Sequence, residues 1–148
     1  LCLEMCLSED NGTSWISRGR LTRHMQAPGH LLELAKGELL LSFTSRINGL
    51  WGIMLQVSQD GGTTWLPPVP LITIPRISDC GYPSTVQLTD GSLATAYYFG
   101  RKVGVPGIQG ENALPWHPRY HMGIATWKLE QYYNELGSQY SPSSEDVR

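Results

Sequence analysis

One eight-residue pattern occurs twice in this chain, and it constrains the fold more than any other feature. Ser8-Glu9-Asp10-Asn11-Gly12-Thr13-Ser14-Trp15 returns fifty positions later as Ser58-Gln59-Asp60-Gly61-Gly62-Thr63-Thr64-Trp65. Both read S-x-D-x-G-x-x-W, with Thr shared at the sixth place. Recurrence of this kind marks a repeat architecture, in which each repeat is one supersecondary unit. Turn chemistry accounts for every fixed place. Gly12 and Gly62 supply the positive φ of a tight turn between strands. Asp10 and Asp60 can fold their carboxylates back onto backbone N–H groups of the same turn, and Ser8 and Ser58 can do so more weakly. Trp15 and Trp65 open the following strand and can pack beneath the corner. The aspartates therefore read as structural. Asp10-Asn11-Gly12 begins like a calcium loop, but no bidentate acid follows at the required position.

A second repeat is independent of the first. Leu34-x-x-Gly37-x-Leu39-x-x-x-Phe43 is matched in spacing by Leu88-x-x-Gly91-x-Leu93-x-x-x-Tyr97. Alternation and turn residues predict strands over 1–7, 15–21, 31–34, 39–45, 51–57, 65–74, 84–88, 93–99 and 120–129. Residues 46–50 and 100–118 read as loops, and 130–148 as a polar, frayed tail. The unit is four antiparallel strands, and units of this length are propeller blades. The chain holds about two and a half of them, spanning 1–22, 30–74 and 82–129. A closed propeller needs at least four blades, so missing upstream blades or other chains are needed to close the ring.

Composition agrees with an all-β protein: 41% hydrophobic, 16% charged, with sixteen Gly and ten Pro for turns. A formal charge of −2 and the lack of a basic run argue against nucleic acid as a partner. No apolar run reaches the roughly 20 residues that span a bilayer. Cys2, Cys6 and Cys80 read as free thiols, with no zinc spacing. No metal or cofactor is called for. The compartment stays open, since Leu1 begins an apolar alternating stretch with no legible signal peptide.

The repeated corner resembles the Asp-box of sialidases and other BNR-repeat propellers. The resemblance implies a six-bladed β-propeller of which residues 1–129 form the later part. Antiparallel topology then places both boxes and both L-x-x-G turns on one face of the disc. Residues 22–30, 46–50, 75–82 and 100–119 lie on the other, around the channel where propeller ligands bind. All four histidines and five arginines (Arg23, Arg46, Arg76, Arg101, Arg119) lie on or beside that second face, which suits an anionic ligand. The block Asp79-Cys80-Gly81-Tyr82-Pro83-Ser84, followed by Asp90-Gly91, is similar to the segment that carries the catalytic tyrosine of sialidases.

That similarity implies Tyr82 as nucleophile and Asp79 as its neighbouring acid or base. Arg46 and Arg101 would clamp a sugar carboxylate, and Trp116 and His121 would form pocket wall. A sialic acid bears a carboxylate at its anomeric carbon, which would repel a charged nucleophile. A neutral phenol avoids the repulsion. Two features depart from the family: Pro83 follows the tyrosine where Ser is usual, and Tyr98-Phe99 stands where an acid is often found. The expectation is a sialidase-like, exo-acting glycoside hydrolase on glycans ending in acidic sugars. The alternatives are a non-catalytic glycan-binding propeller and an enzyme for another acidic sugar such as a uronate.

Overall fold

A computed structural model describes residues 1–74, 79–102 and 118–140. The alternating segments become nine strands: β1 (Glu4–Leu7), β2 (Ile16–Arg20), β3 (Gly29–Glu33), β4 (Leu39–Ile47), β5 (Leu50–Ser58), β6 (Val69–Thr73), β7 (Cys80–Gln87), β8 (Leu93–Lys102) and β9 (Pro118–Trp127). They form three antiparallel sheets, β1-β2, β3-β4-β5-β6 and β7-β8-β9. Among the described residues the fold is all-β apart from one helix, α1 (Leu129–Tyr140).

The four-stranded sheet lies between the other two. On one face Leu41, Phe43 and Met54 pack against Leu3, Leu21 and Trp65. On the other, Leu40, Leu55, Val57 and Val69 join Leu93, Trp127 and Tyr132. That second interface also carries a buried chain of hydroxyls. Trp127 Nε1 donates to Thr95 Oγ1 (2.9 Å), Thr95 and Thr85 hydroxyls share a bond (2.9 Å), and Thr85 donates to Ser42 Oγ (3.0 Å). Every hydroxyl has a partner, as a buried polar group requires. The outer face of the β7-β8-β9 sheet, by contrast, leaves Val86, Met122 and Ile124 exposed.

Two expectations are corrected. Residues 46–50 are not a loop: β4 runs to Ile47, β5 starts at Leu50, and Asn48-Gly49 alone turns the chain. Arg46 is thus a strand residue paired with Trp51. Residues 130–140 are not a frayed tail. Leu129, Tyr132, Tyr133 and Leu136 fall at i, i+3, i+4 and i+7 and lie on the core. The Gln131 side chain caps the helix start by accepting from Lys128 N (2.7 Å). Tyr132 is 1% exposed and donates to Pro67 O (2.8 Å), which ties the helix to the segment before β6. Smaller differences have local causes; β6 begins at Val69 rather than Trp65 because Pro67 and Pro68 lack the N–H a ladder needs. Among the described residues no helix is long and apolar enough to cross a membrane.

Candidate functional site

The two tryptophan-ended corners are near copies in atomic detail. Ser8 donates to Asp10 Oδ1 at 2.8 Å, and Ser58 to Asp60 Oδ1 at 2.8 Å. Ser14 N and Thr64 N each donate to the same Oδ1 at 2.8 Å. Ser14 and Thr64 hydroxyls reach Oδ2 at 2.7 and 2.6 Å. Gly12 N and Gly62 N return to the serine oxygens at 2.7 and 2.8 Å. Both carboxylates are spent on their own turn. The Ser14 hydroxyl and N–H hold Asp10 down to about 2, and the Thr64 hydroxyl and N–H lower Asp60 in the same way. Their surroundings differ. Ser58 is fully buried, and a Cβ on Gly62 would strike Met5 of β1. At the first corner Trp15 is 64% exposed.

The β3–β4 turn reaches the β7–β8 end of the neighbouring sheet, where Ala35 N donates to Gln87 Oε1 (2.8 Å). The β4–β5 turn and the start of β7 lie at the opposite end. There the chain gathers Arg46, Asp79, Tyr82, Tyr98 and Tyr120. Arg46 Nη2 donates to Asp79 Oδ1 (3.1 Å) and Cys80 O (2.7 Å), and Nη1 to Ala27 O (3.2 Å). Its guanidinium therefore joins the 21–28 segment, β4 and β7. Asp79 also lies close enough to the Tyr98 phenol to act on its proton. Burial first, and then the Asp79 hydrogen bond and charge, push Tyr98 up to about 12, so it is a neutral donor at ordinary pH. Burial also pushes the Cys80 thiol up, which leaves it protonated and small.

Tyr82 owes its position to a break in the ladder. Gly81 pairs with Tyr98 and Ser84 with Ala96, so Tyr82 and Pro83 together face one residue of β8. This is a β-bulge, a device that re-aims a side chain. Tyr82 has φ +49°, rare for a bulky residue, and Gly81 has φ +131°. Tyr82 N donates to Thr44 Oγ1 (3.1 Å), and a Cβ on Gly81 would collide with the same Thr44 side chain. Pro83 fits here because a bulge residue has no ladder bond to lose. The Tyr82 ring is 63% exposed and lies 5.5 Å from Tyr98, which lies 5.6 Å from Tyr120 in an edge contact. The three rings thus form one row, exposed at Tyr82 and Tyr120 and half-buried at Tyr98.

The remaining candidates divide. His121 pairs with Phe99 in register and stacks on its ring at 5.4 Å. Phe99 is one residue past Tyr98, so His121 stands on the opposite face of the sheet from the phenol row. Arg101 and Arg119 pair in the ladder of β8 and β9, but their side chains lie outside the described residues. Trp116, with Arg76, Glu111 and His117, also lies outside the described residues. Sequence reasoning missed the part played by Tyr98 and Tyr120. Alternation in β8 and β9 put Tyr98 and Tyr120 on one face, but only the register shows that they meet. Comparison with protein-family models, curated proteins and solved structures gives no match to this chain.

Proposed function

We propose that this chain is part of a sialidase-like BNR propeller and that its Tyr82 end serves an exo-acting glycoside hydrolase on terminal acidic sugars. The observation that carries this reading is the bulge: it presents an exposed phenol beside a second, half-buried phenol that burial and the neighbouring Asp79 carboxylate keep protonated. Bulges and left-handed non-glycine residues concentrate at functional sites. In this reading the Tyr82 oxygen bonds to the anomeric carbon as the glycosidic bond breaks, the Tyr82 proton passes by way of Asp79 to the departing oxygen, and water later frees the sugar from the tyrosine. The propeller reading draws support from the face-to-face sheets, the paired corners and the uncovered apolar face at Val86, Met122 and Ile124. In a closed ring a further blade would cover the Val86 and Ile124 part of that face and leave its Tyr98 end, where the phenol row stands, at the rim. The test is release of fluorophore from a sialoside and from a glucuronide, with Tyr82→Phe in parallel. Loss of turnover in the variant is expected, and unchanged turnover removes the tyrosine's role.

One observation favours a second reading, glycan binding without turnover. The Arg46 guanidinium is already held by three protein acceptors, which leaves it poorly placed to clamp a substrate carboxylate. The row Tyr82, Tyr98 and Tyr120 would then act as a stacking platform for sugar rings. Glycan-array binding retained with no product release would decide for this reading.

A further inference from the structure

A separate cavity of about 710 Å³ opens between the β1-β2 sheet and the β5-β6 edge of the four-stranded sheet. Its floor is one face of β5, where Leu50, Met54 and Gln56 stand at alternate places along the strand. From Leu50 to Gln56 the strand covers roughly 20 Å at about 3.3 Å per residue, so the cavity is elongated. Phe43, Pro68 and Pro70 supply apolar wall beside it.

Two features mark it as more than a packing gap. First, Arg20, Arg23 and His24 line it, and none forms an ion pair with a described residue. Arg20 faces Glu4 in register without a salt bridge. The segment bearing Arg23 and His24 is held from inside. Thr22 and Gln26 are 5% and 4% exposed; Thr22 Oγ1 donates to Gln26 O (2.7 Å), and Arg23 N donates to Gln26 Oε1 (2.9 Å). The backbone that carries Arg23 and His24 is thus mounted on a fixed support, as a preorganised site requires. Second, Gln56 is 8% exposed and its Oε1 has no partner among the described residues. A buried acceptor left unmade costs about 1–3 kcal/mol, and its place on the cavity floor gives an incoming donor the means to satisfy it.

We infer that this cavity binds an elongated amphipathic anion: a carboxylate at the Arg20, Arg23 and His24 end, an apolar body along Leu50 and Met54, and a hydrogen-bond donor at Gln56. Each part answers to one recognition element on the wall. The site does not use Tyr82 or Asp79, so it stands apart from the proposed glycosidase chemistry.

Calorimetric titration of the protein with ω-hydroxydodecanoate tests this. Binding is expected, with dodecanoate about fivefold weaker because it cannot supply the donor. Dodecanediol is expected to be at least about tenfold weaker because it lacks the charge. Arg20→Ala with Arg23→Ala should erase the preference for the acid over the diol. Gln56→Leu should erase the preference for the hydroxy acid over dodecanoate while keeping the preference for charge. Because Gln56→Leu removes an orphaned polar atom, its thermal midpoint should not fall, which separates lost recognition from lost folding. Equal affinity for all three compounds, no binding, or discrimination unchanged in both variants would overturn the inference.

Discussion

The Asp79 carboxylate meets the Arg46 guanidinium at 3.1 Å although 33 positions separate them in the chain. The pair stands where β4 passes β7, and the same guanidinium reaches Cys80 O and Ala27 O. Arg46 is mostly covered, with 22% of its side chain exposed, whereas Asp79 keeps 51%. Arg46→Ala strips three acceptors of a charged donor and should destabilise the fold by about 2–4 kcal/mol. Asp79→Asn keeps the shape and a half-exposed contact, and should cost less than about 1 kcal/mol. Urea unfolding of the two variants checks the order. Under the proposed function Asp79→Asn should lose turnover while staying folded, so activity and stability separate at this residue.

The second corner is built into the core and the first is not, so equivalent substitutions should differ. Ser58 Oγ accepts from Gly62 N and donates to Asp60, and the residue is fully buried. Ser58→Ala leaves that N–H without a partner and should cost about 1–3 kcal/mol. At Ser8→Ala water can replace the lost oxygen, and the cost should stay below about 0.5 kcal/mol. Equal shifts in the urea midpoint would contradict the difference in burial between the corners.

Stability should fall at both ends of the pH range, for opposite reasons. Asp10 sits at about 2 in the folded chain against 3.8 for a free carboxylate, and Asp60 and Asp90 are lowered too. As pH falls through that window the unfolded chain takes up protons first, so stability present above pH 4 is lost toward pH 2. Tyr98 is raised to about 12 from 10.0. As pH rises between those values the unfolded chain releases the proton first, and stability falls again. Melting temperature against pH should show both limbs. Asp10→Asn should flatten the acid limb, and Tyr98→Phe the alkaline one.

The hydroxyl chain between the sheets gives another check. Read in one direction, Trp127 donates to Thr95, Thr95 to Thr85, Thr85 to Ser42, and Ser42 to His30 O at 3.4 Å. Thr85→Val conserves volume but removes the middle member, leaving Thr95 with no acceptor in a dry interface. A loss of about 1–3 kcal/mol is expected. Thr85→Ser keeps the hydroxyl and should cost less, which a pair of urea curves would show.

What could be read from sequence divides by the range of the interactions. The corners were legible because Ser8, Asp10, Gly12 and Ser14 find one another within four residues. Strand order followed from the turns. The role of Arg46 was not legible, since its acceptors lie 19, 33 and 34 positions away and no local pattern announces them. Helix α1 did carry a signal in Leu129, Tyr132, Tyr133 and Leu136, but the polar residues between them masked the period. The bulge had a signal too: Gly81 and Pro83 flank Tyr82 inside an otherwise regular strand, and a strand proline points to a ladder break.

That bulge yields the sharpest test of how Tyr82 is aimed. Gly81 combines φ +131° with a Thr44 side chain standing where a Cβ would go. Gly81→Ala meets both a backbone penalty and a collision, and should destabilise by about 3 kcal/mol or more. Adding Thr44→Ala removes the two nearest colliding atoms, Oγ1 and Cγ2, but also the acceptor for Tyr82 N–H. The double variant should therefore recover part of the stability and none of the phenol's placement. Urea unfolding should show the partial recovery as a coupling of about 1 kcal/mol or more between the two sites. Turnover of the sialoside, or glycan affinity if there is no turnover, should stay low in the double variant. Full recovery of function would mean that the left-handed backbone at Tyr82 is incidental to the site.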